Sequence, residues 1–283
     1  MVRESEKQIP KVIHYCWFGR NPLPESAKKC IASWKEYLPD YEIKEWNESN
    51  FELNCCDYVK EAYQEKMWAF VSDYVRFKVL YEWGGIYFDT DVELIKPIYD
   101  ILEQGSFMGS EASPIRKDGK EQILINPGLG LASVPQLDIY EEILSHYNNI
   151  HFIDAQGIQD ITTVVTRVTN IMVAHGYNTE KKEKQRIGNI YVYPTDYFCP
   201  LNYYTGKLII TENTRSIHHY AETWHNLLEK KIENIQRYFS RKGKRNSLIA
   251  KAVICSLVVV NSTKKYGIFK TCTRILRKLN KKL

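Results

Sequence analysis

The chain has 283 residues, of which 44% are hydrophobic and 26% charged, the composition of an ordinary soluble globular protein. That argues against a disordered or fibrous polymer and allows one large α/β domain or two small ones. The net charge of +5 hides an asymmetry: residues 241–283 carry 13 Lys and Arg and no acid, which leaves 26 basic against 34 acidic side chains in residues 1–240, a balance of −8. An acidic body and a basic tail therefore need separate explanations.

Along the chain, "KVIHYCWF" (11–18) is β-rich and ends at Gly19, as a central strand would. In "NPLPESAKKCIASWKEYL", a proline entry followed by Ala27, Ile31 and Trp34 at helical spacing predicts a helix over 25–37. "YEIKEWN" (41–47) alternates like a second strand, and this strand–helix–strand opening argues for a parallel sheet. Residues 57–83 read as helical. Trp68, Val71, Val75, Val79 and Trp83 share one face, and Gly84–Gly85 stop the helix.

A strand is then expected at 86–89. "GSFMGSE" and "ILINPGLGLAS" read as strands or loops between strands. Helices are expected over 135–147, 158–175 and 223–239, and strands at 189–194 and 215–220.

The segment "GGIYFDTDVEL" (84–94) runs from an apolar strand into Asp89, Asp91 and Glu93, although carboxylates are depleted from strands. Two hard carboxylates at i and i+2, at the end of a strand, can converge on one divalent cation such as Mg²⁺ or Mn²⁺. Without a cation, their repulsion would make burial costly. The position is where open α/β sheets bind ligands, outside the carboxyl ends of the strands. Just upstream, "SDYVRF" places Asp73 and Arg76 at i and i+3 on one helix face.

Three blocks, "IPKVIHYCWFG", "SDYVRFKVLYEWGGIYFDTDVE" and "SIHHYAETW", resemble the DXD sugar-transferase family, glycosyltransferase family thirty-two, and are similar to the clostridial glucosylating toxins. The resemblance is dense over 9–97 and thin from 100 to 214. It rests on S-D-x-x-R followed by G-G-x-Y-x-D-x-D. It implies a GT-A fold, a Rossmann-like mixed α/β sheet flanked by helices, and the charge asymmetry sets this catalytic domain at 1–240 with a basic helical tail at 241–283.

It further implies a retaining transfer from a nucleotide-sugar donor with Mn²⁺ or Mg²⁺ as cofactor. Asp89 and Asp91 would hold the metal and diphosphate, Asp91 the more directly. Asp73 and Arg76 would contact the donor, and Trp17 would stack on its base. His218 or His219 would complete the metal shell or reach the diphosphate, with Trp224 nearby. Adjacent histidines point to opposite faces in a strand, and His218 is the preferred ligand. Thr223 stands where the family commonly has Ser.

Other residues have plainer readings. His14 reads as a core histidine and Glu93 as a solvated neighbour. Asn126 in "NPGLGLAS" marks either a tight turn or an acceptor loop, and Asp160 in "DITTVVT" stands near a helix cap. Seven cysteines form no CxxC pair. With no apolar signal segment at the N-terminus, reduced thiols in the cytosol are expected.

In the tail, "LIAKAVICSLVVV" (248–260) is shorter than the ~20 residues needed to span a bilayer. Residues 264–283 place Ile268, Phe269, Cys272, Ile275, Leu276 and Leu279 on one stripe opposite Lys and Arg, a basic amphipathic helix suited to an anionic membrane surface. Nucleic acid is not an expected partner, because the body is acidic.

The sequence thus points to transfer of a hexose or N-acetylhexosamine, from a UDP-sugar, to a glycan or lipid-linked glycan. The expected setting is bacterial capsule or exopolysaccharide assembly, on the cytoplasmic face of the membrane. Two other classes stay open at this stage: a metal-dependent nucleotide-sugar or glycoside hydrolase, and a non-catalytic membrane-bound glycan-binding protein.

Overall fold

The structure, a computed structural model, describes residues 8–113 and 121–221, and within the C-terminal stretch 232, 234–235, 238–239, 254–260 and 263. In chain order the elements are β1 (Val12–Cys16), α1 (Glu25–Tyr37), β2 (Glu42–Trp46), α2 (Asp57–Gln64), α3 (Trp68–Trp83), β3 (Gly85–Tyr87), β4 (Val92–Leu94), α4 (Tyr99–Leu102), β5 (Phe107–Met108) and β6 (Ser110–Ala112). There follow β7 (Ile123–Ile125), β8 (Leu131–Ser133), α5 (Asp138–Asn148), α6 (Val164–Ala174), β9 (Gln185–Ile187), β10 (Ile190–Val192), α7 (Thr195–Phe198) and β11 (Ser216–His218).

Seven strands form one mixed sheet in the order β2-β1-β3-β8-β5-β10-β9. The opening strands β2, β1 and β3 run parallel, as the strand–helix–strand start requires. β8 is antiparallel to both of its neighbours. The pairs β4–β11 and β6–β7 form two small antiparallel sheets. The expected α/β class, a mixed sheet flanked by helices, is what the chain adopts.

Alternation along each strand sends side chains to two separate cores. On one face Cys16, Tyr87, Met108 and Leu131 pack with α2, α3, α5 and α6 residues such as Tyr58, Phe77, Tyr140 and Met172. On the other, Ile13, Tyr15, Ile86, Phe88 and Phe107 pack with Trp34 of α1, Ile101 of α4 and Phe198 of α7. The expected single apolar stripe on α3 is incomplete. Val71, Val75 and Val79 are buried, but so are Phe70, Tyr74, Phe77 and Leu80, while Trp83 is 53% exposed. A helix that is apolar nearly all round is an interior helix, and α3 lies between the sheet and α2 and α5.

The predicted 57–83 helix is broken into α2 and α3, with Lys66 at φ 59° between them. Gly84 ends α3 at φ 64°, where a Cβ would meet Ser133 O at 2.8 Å; Gly85 follows at φ 99°, where a Cβ would meet Val12 O at 2.6 Å. Both glycines answer to backbone conformation and close approach together. His14 is a core residue, as expected. It is fully buried, and Nδ1 accepts from Trp46 Nε1 (3.0 Å) while Nε2 donates to Gly84 O (2.9 Å). Burial lowers its pKa to about 4.

Two compact units divide the chain: Met1–Asn202 with Leu208–Tyr220, and Tyr203–Lys207 with Ala221–Leu283. In the second unit the Tyr203 and Tyr204 rings meet edge to face, and residues 232, 234–235, 238–239, 254–260 and 263 are helical. The tail segment 264–283, with its expected amphipathic stripe, lies outside the described residues, as does Trp224. No helix among the described residues is long and apolar enough to cross a membrane.

Candidate active site

The acidic segment leaves the sheet at the carboxyl end of β3. Tyr87 faces α3, and period-two alternation brings Asp89 to the same side, where the Tyr87 hydroxyl donates to Asp89 Oδ1 at 2.9 Å. The chain then turns, with Val92 N donating to Asp89 O, and re-enters as β4. α1 fixes this return: Trp34 Nε1 donates to Val92 O (2.8 Å) and Leu94 N donates to Ser33 Oγ (2.9 Å). Asp91 therefore sits on a turn held at both ends.

β11 pairs antiparallel with β4, placing His218 opposite Val92. His218 turns inward, with Nε2 3.1 Å from Asp91 Oδ1. His219 turns outward and pairs with Glu93 at 2.7 Å. Strand alternation thus separates the two histidines, and Glu93 has a partner in His219 beyond solvent. Asp89, Asp91 and His218 each offer a ligand atom, all within 4.8 Å of one another. Burial disfavours the charged imidazolium of His218, yet the carboxylates of Asp91, Asp89 and Glu111 outweigh it and raise its pKa.

Beneath the carboxylates lies the α3 pair. Arg76 is 3% exposed, donates from Nη2 to Asp73 Oδ1 at 3.0 Å, and stands 3.4 Å from Asp89 Oδ1. Its guanidinium lies over the Tyr87 ring at 4.9 Å, and Nε donates to Ser72 O. Asp73 is also buried, and desolvation raises its pKa despite the opposing Arg76 charge. A surface ion pair would be worth only a few tenths of a kcal/mol. This one is buried, and taking one partner away would leave an uncompensated charge.

Of the residues the sequence nominated, Asp73, Arg76, Asp89, Asp91 and His218 are brought together. Trp17 stands one residue past β1, and the parallel β1–β3 pairing sets it at the same carboxyl edge as Asp89. It is half-buried, and its Nε1 donates to Asn21 O at 2.6 Å.

Of the remaining neighbours, Asn126 was marked in the sequence, whereas Gly128, Glu111 and Tyr220 carried no local signal. Gly128 approaches so closely that a Cβ there would lie 2.2 Å from Asp89 Oδ2. Its carbonyl accepts from Asp89 N (3.2 Å), and Asn126 Oδ1 accepts from Gly128 N (2.8 Å). Asn126 thus builds a tight turn against the acidic cluster. Glu111 and Tyr220 complete the surroundings, across long sequence separations. Asp160 does not cap a helix: Thr163 caps α6, and Asp160 pairs with the buried Arg167 at 2.5 Å.

The donor set tests whether a cation fits. Two carboxylates and an imidazole converge, and within this cluster His218 Nδ1 and Arg76 Nη1 have no hydrogen-bond partner among the described residues. Buried polar atoms are normally satisfied, so these donors and acceptors are the chemistry of a site that takes a charged ligand. Two carboxylates and one imidazole are ligands that a divalent cation can take.

Residues 24–108 match the family described as "Glycosyltransferase sugar-binding region containing DXD motif". The match includes Asp73, Arg76, Asp89 and Asp91 but not Trp17 or His218. Inositol phosphoceramide mannosyltransferase 1 of Schizosaccharomyces pombe is 29% identical over 123 residues, covering 40% of this chain and 37% of that protein. Inositol phosphoceramide mannosyltransferase 3 of the same yeast is 38% identical over 88 residues, covering 30% of this chain and 24% of that protein. The chain thus spans well under half the length of these curated relatives. Among solved structures, a glycosyltransferase involved in the glycosylation of the major capsid of PBCV-1 aligns with a TM-score of 0.41 and 12% identity, over 80% of this chain and 99% of that one.

Proposed function

We propose, from the match of residues 24–108 to a glycosyltransferase sugar-binding region containing a DXD motif, that the protein is a metal-dependent, retaining glycosyltransferase using a nucleotide-sugar donor. The observation that carries this is the convergence of Asp89, Asp91 and His218 beside the buried Arg76 at the carboxyl end of β3.

The barrier to transfer lies in breaking the anomeric C–O bond to the diphosphate. Asp89, Asp91 and His218 would hold a divalent ion, which supplies positive charge for the leaving diphosphate. Arg76 keeps its charge in this setting, and its unpartnered Nη1 offers a charge-assisted hydrogen bond to a donor oxygen. Asp73 anchors the guanidinium from below and orients the sugar. Trp17, at the same edge, offers its ring face to the base.

The acceptor is a glycan or lipid-linked glycan, and the donor a UDP-sugar carrying a hexose or N-acetylhexosamine. A membrane-held acceptor is supported by the 13 basic residues of 241–283 and by the relatives' names, in which the acceptor is inositol phosphoceramide. Surface-polysaccharide assembly on the cytoplasmic face of a bacterial membrane fits these features.

A panel of UDP- and GDP-sugars with and without Mn²⁺, read by thermal shift and by transfer to added acceptors, tests this reading. A ligand that binds only the native state raises its apparent stability. One donor should stabilise the protein in the presence of Mn²⁺, and Asp91→Asn should abolish both that shift and transfer. Metal-independent donor binding unaffected by Asp91→Asn would reject the reading.

A further inference from the structure

Glu111 is a half-buried carboxylate on β6 that borders the site but is not one of its three cation ligands. Its Oε2 accepts two hydrogen bonds, one from Asn126 Nδ2 at 2.8 Å and one from the Tyr220 hydroxyl at 3.3 Å. One partner arrives from the turn that packs against Asp89, the other from the segment that carries His218.

Asn126 belongs to the 126–130 turn. With Nδ2 committed to Glu111, its amide must present Oδ1 to Gly128 N, the bond seen at 2.8 Å. That turn positions Gly128 against Asp89 through the Gly128 O contact with Asp89 N. Tyr220 lies two residues past His218, and its ring packs on the imidazole at a 4.2 Å centroid distance. Tyr220 holds φ 51°, a left-handed conformation that a bulky residue keeps only when its surroundings over-determine it. The hydroxyl contacts with Glu111 and with Cys199 Sγ at 3.0 Å are two such restraints.

We propose that Glu111 is a positioning residue for the cation site, tying the Asn126–Gly128 turn to the Tyr220 side chain so that Asp89 and His218 stay aimed at one point. The proposal rests on reading Asp89, Asp91 and His218 as cation ligands. The residues that orient metal ligands typically contribute 10- to 100-fold in affinity. Glu111 acts one step further out, through Asn126 and Tyr220, and its removal is set at the low end of that range, about tenfold.

The test measures Mn²⁺ binding to the full chain, by titration calorimetry and by the electron paramagnetic resonance of free Mn²⁺, alongside the unfolding midpoint. Glu111→Ala should weaken Mn²⁺ binding about tenfold. Asn126→Asp faces Glu111 with a second carboxylate and should weaken it at least as much. The pair Glu111→Gln with Asn126→Asp reverses the polarity of the same hydrogen bond, because the new amide donates to the new carboxylate. It should recover binding to within about threefold of the parent chain, a coupling that independent sites do not show.

Mn²⁺ binding by Glu111→Ala within twofold of the parent overturns the proposal. So does an Asn126→Asp defect that the Gln at 111 fails to relieve, and this comparison stands even where Glu111→Ala does not fold. Asp91→Asn separates the two levels. If it binds Mn²⁺ like the parent chain, the cation site itself is wrong. If it loses Mn²⁺ while Glu111→Ala keeps it, only the role of Glu111 falls.

Discussion

Gly128→Ala is the sharpest available perturbation of the site, because it adds one methyl group and no charge. The new Cβ would stand 2.2 Å from Asp89 Oδ2 and 3.1 Å from Asp89 Cγ and Asn126 Oδ1. Ordinary contact begins near 3.4 Å, so the carboxylate oxygen must retreat by about 1.2 Å. Its other oxygen is held by the Tyr87 hydroxyl at 2.9 Å and lies 3.4 Å from Arg76 Nη2, so rotation about the carboxylate axis disturbs those contacts as well.

Metal–ligand distances tolerate only ~0.2 Å. A displacement several times larger removes Asp89 as a ligand, and the predicted loss of Mn²⁺ affinity is on the order of 10- to 100-fold. The fold should survive, since what must yield is the end of one side chain. The assay is Mn²⁺ titration at constant pH with the unfolding midpoint measured in parallel. A Gly128→Ala protein that binds Mn²⁺ with parental affinity would refute the argument that Asp89 is a ligand in the position described.

His14 predicts a specific acid sensitivity. Its folded pKa lies near 4 against 6.5 when unfolded, so the unfolded chain alone takes up the proton as pH drops below 6.5. The stability conferred by neutral His14 is complete above that pH and is lost as pH falls toward 4. Between pH 6.5 and 4.5 the loss is about 2 kcal/mol. Urea unfolding of the parent chain and His14→Gln at both pH values should show that difference, and parallel pH dependence would contradict it.

Asp160→Ala strips the buried Arg167 of its carboxylate partner and should cost about 2 kcal/mol, read from the urea midpoint. Deletion of 241–283 should release the protein from anionic vesicles in a flotation assay while sparing transfer to a soluble acceptor. Equal vesicle binding by the truncated chain would reject a membrane role for the tail.

Local patterns in the sequence were enough for the parts of this protein that depend on near neighbours. The spacing of Ala27, Ile31 and Trp34 gives α1 over Glu25–Tyr37, and the alternation in 41–47 gives β2 over Glu42–Trp46. The run of carboxylates after an apolar strand marks a ligand site because only a cation or buried cationic partner makes such a cluster tolerable. Asp73 and Arg76 are legible for the same reason, being one helical turn apart.

The pattern failed where burial was not one-sided. α3 is enclosed nearly all round, so the single stripe read on it covers only part of its buried surface. The break at Lys66, between two apolar helical stretches, also left no mark that periodicity detects.

What only the tertiary structure decided are the contacts closed over long chain separations. β11 had to pair with β4, with Ser216 opposite Leu94, before one histidine could face Asp91 and the other Glu93. Until that register exists, the two are equivalent neighbours in the sequence. Gly128, Glu111 and Tyr220 are likewise ordinary residues until antiparallel pairing of β6 with β7, of β3 with β8 and of β11 with β4 draws their segments around Asp89. Secondary structure and charge clusters are set by neighbours in the chain. The geometry of a ligand shell is set by which strands meet, and in what register, and only the packed sheet fixes that.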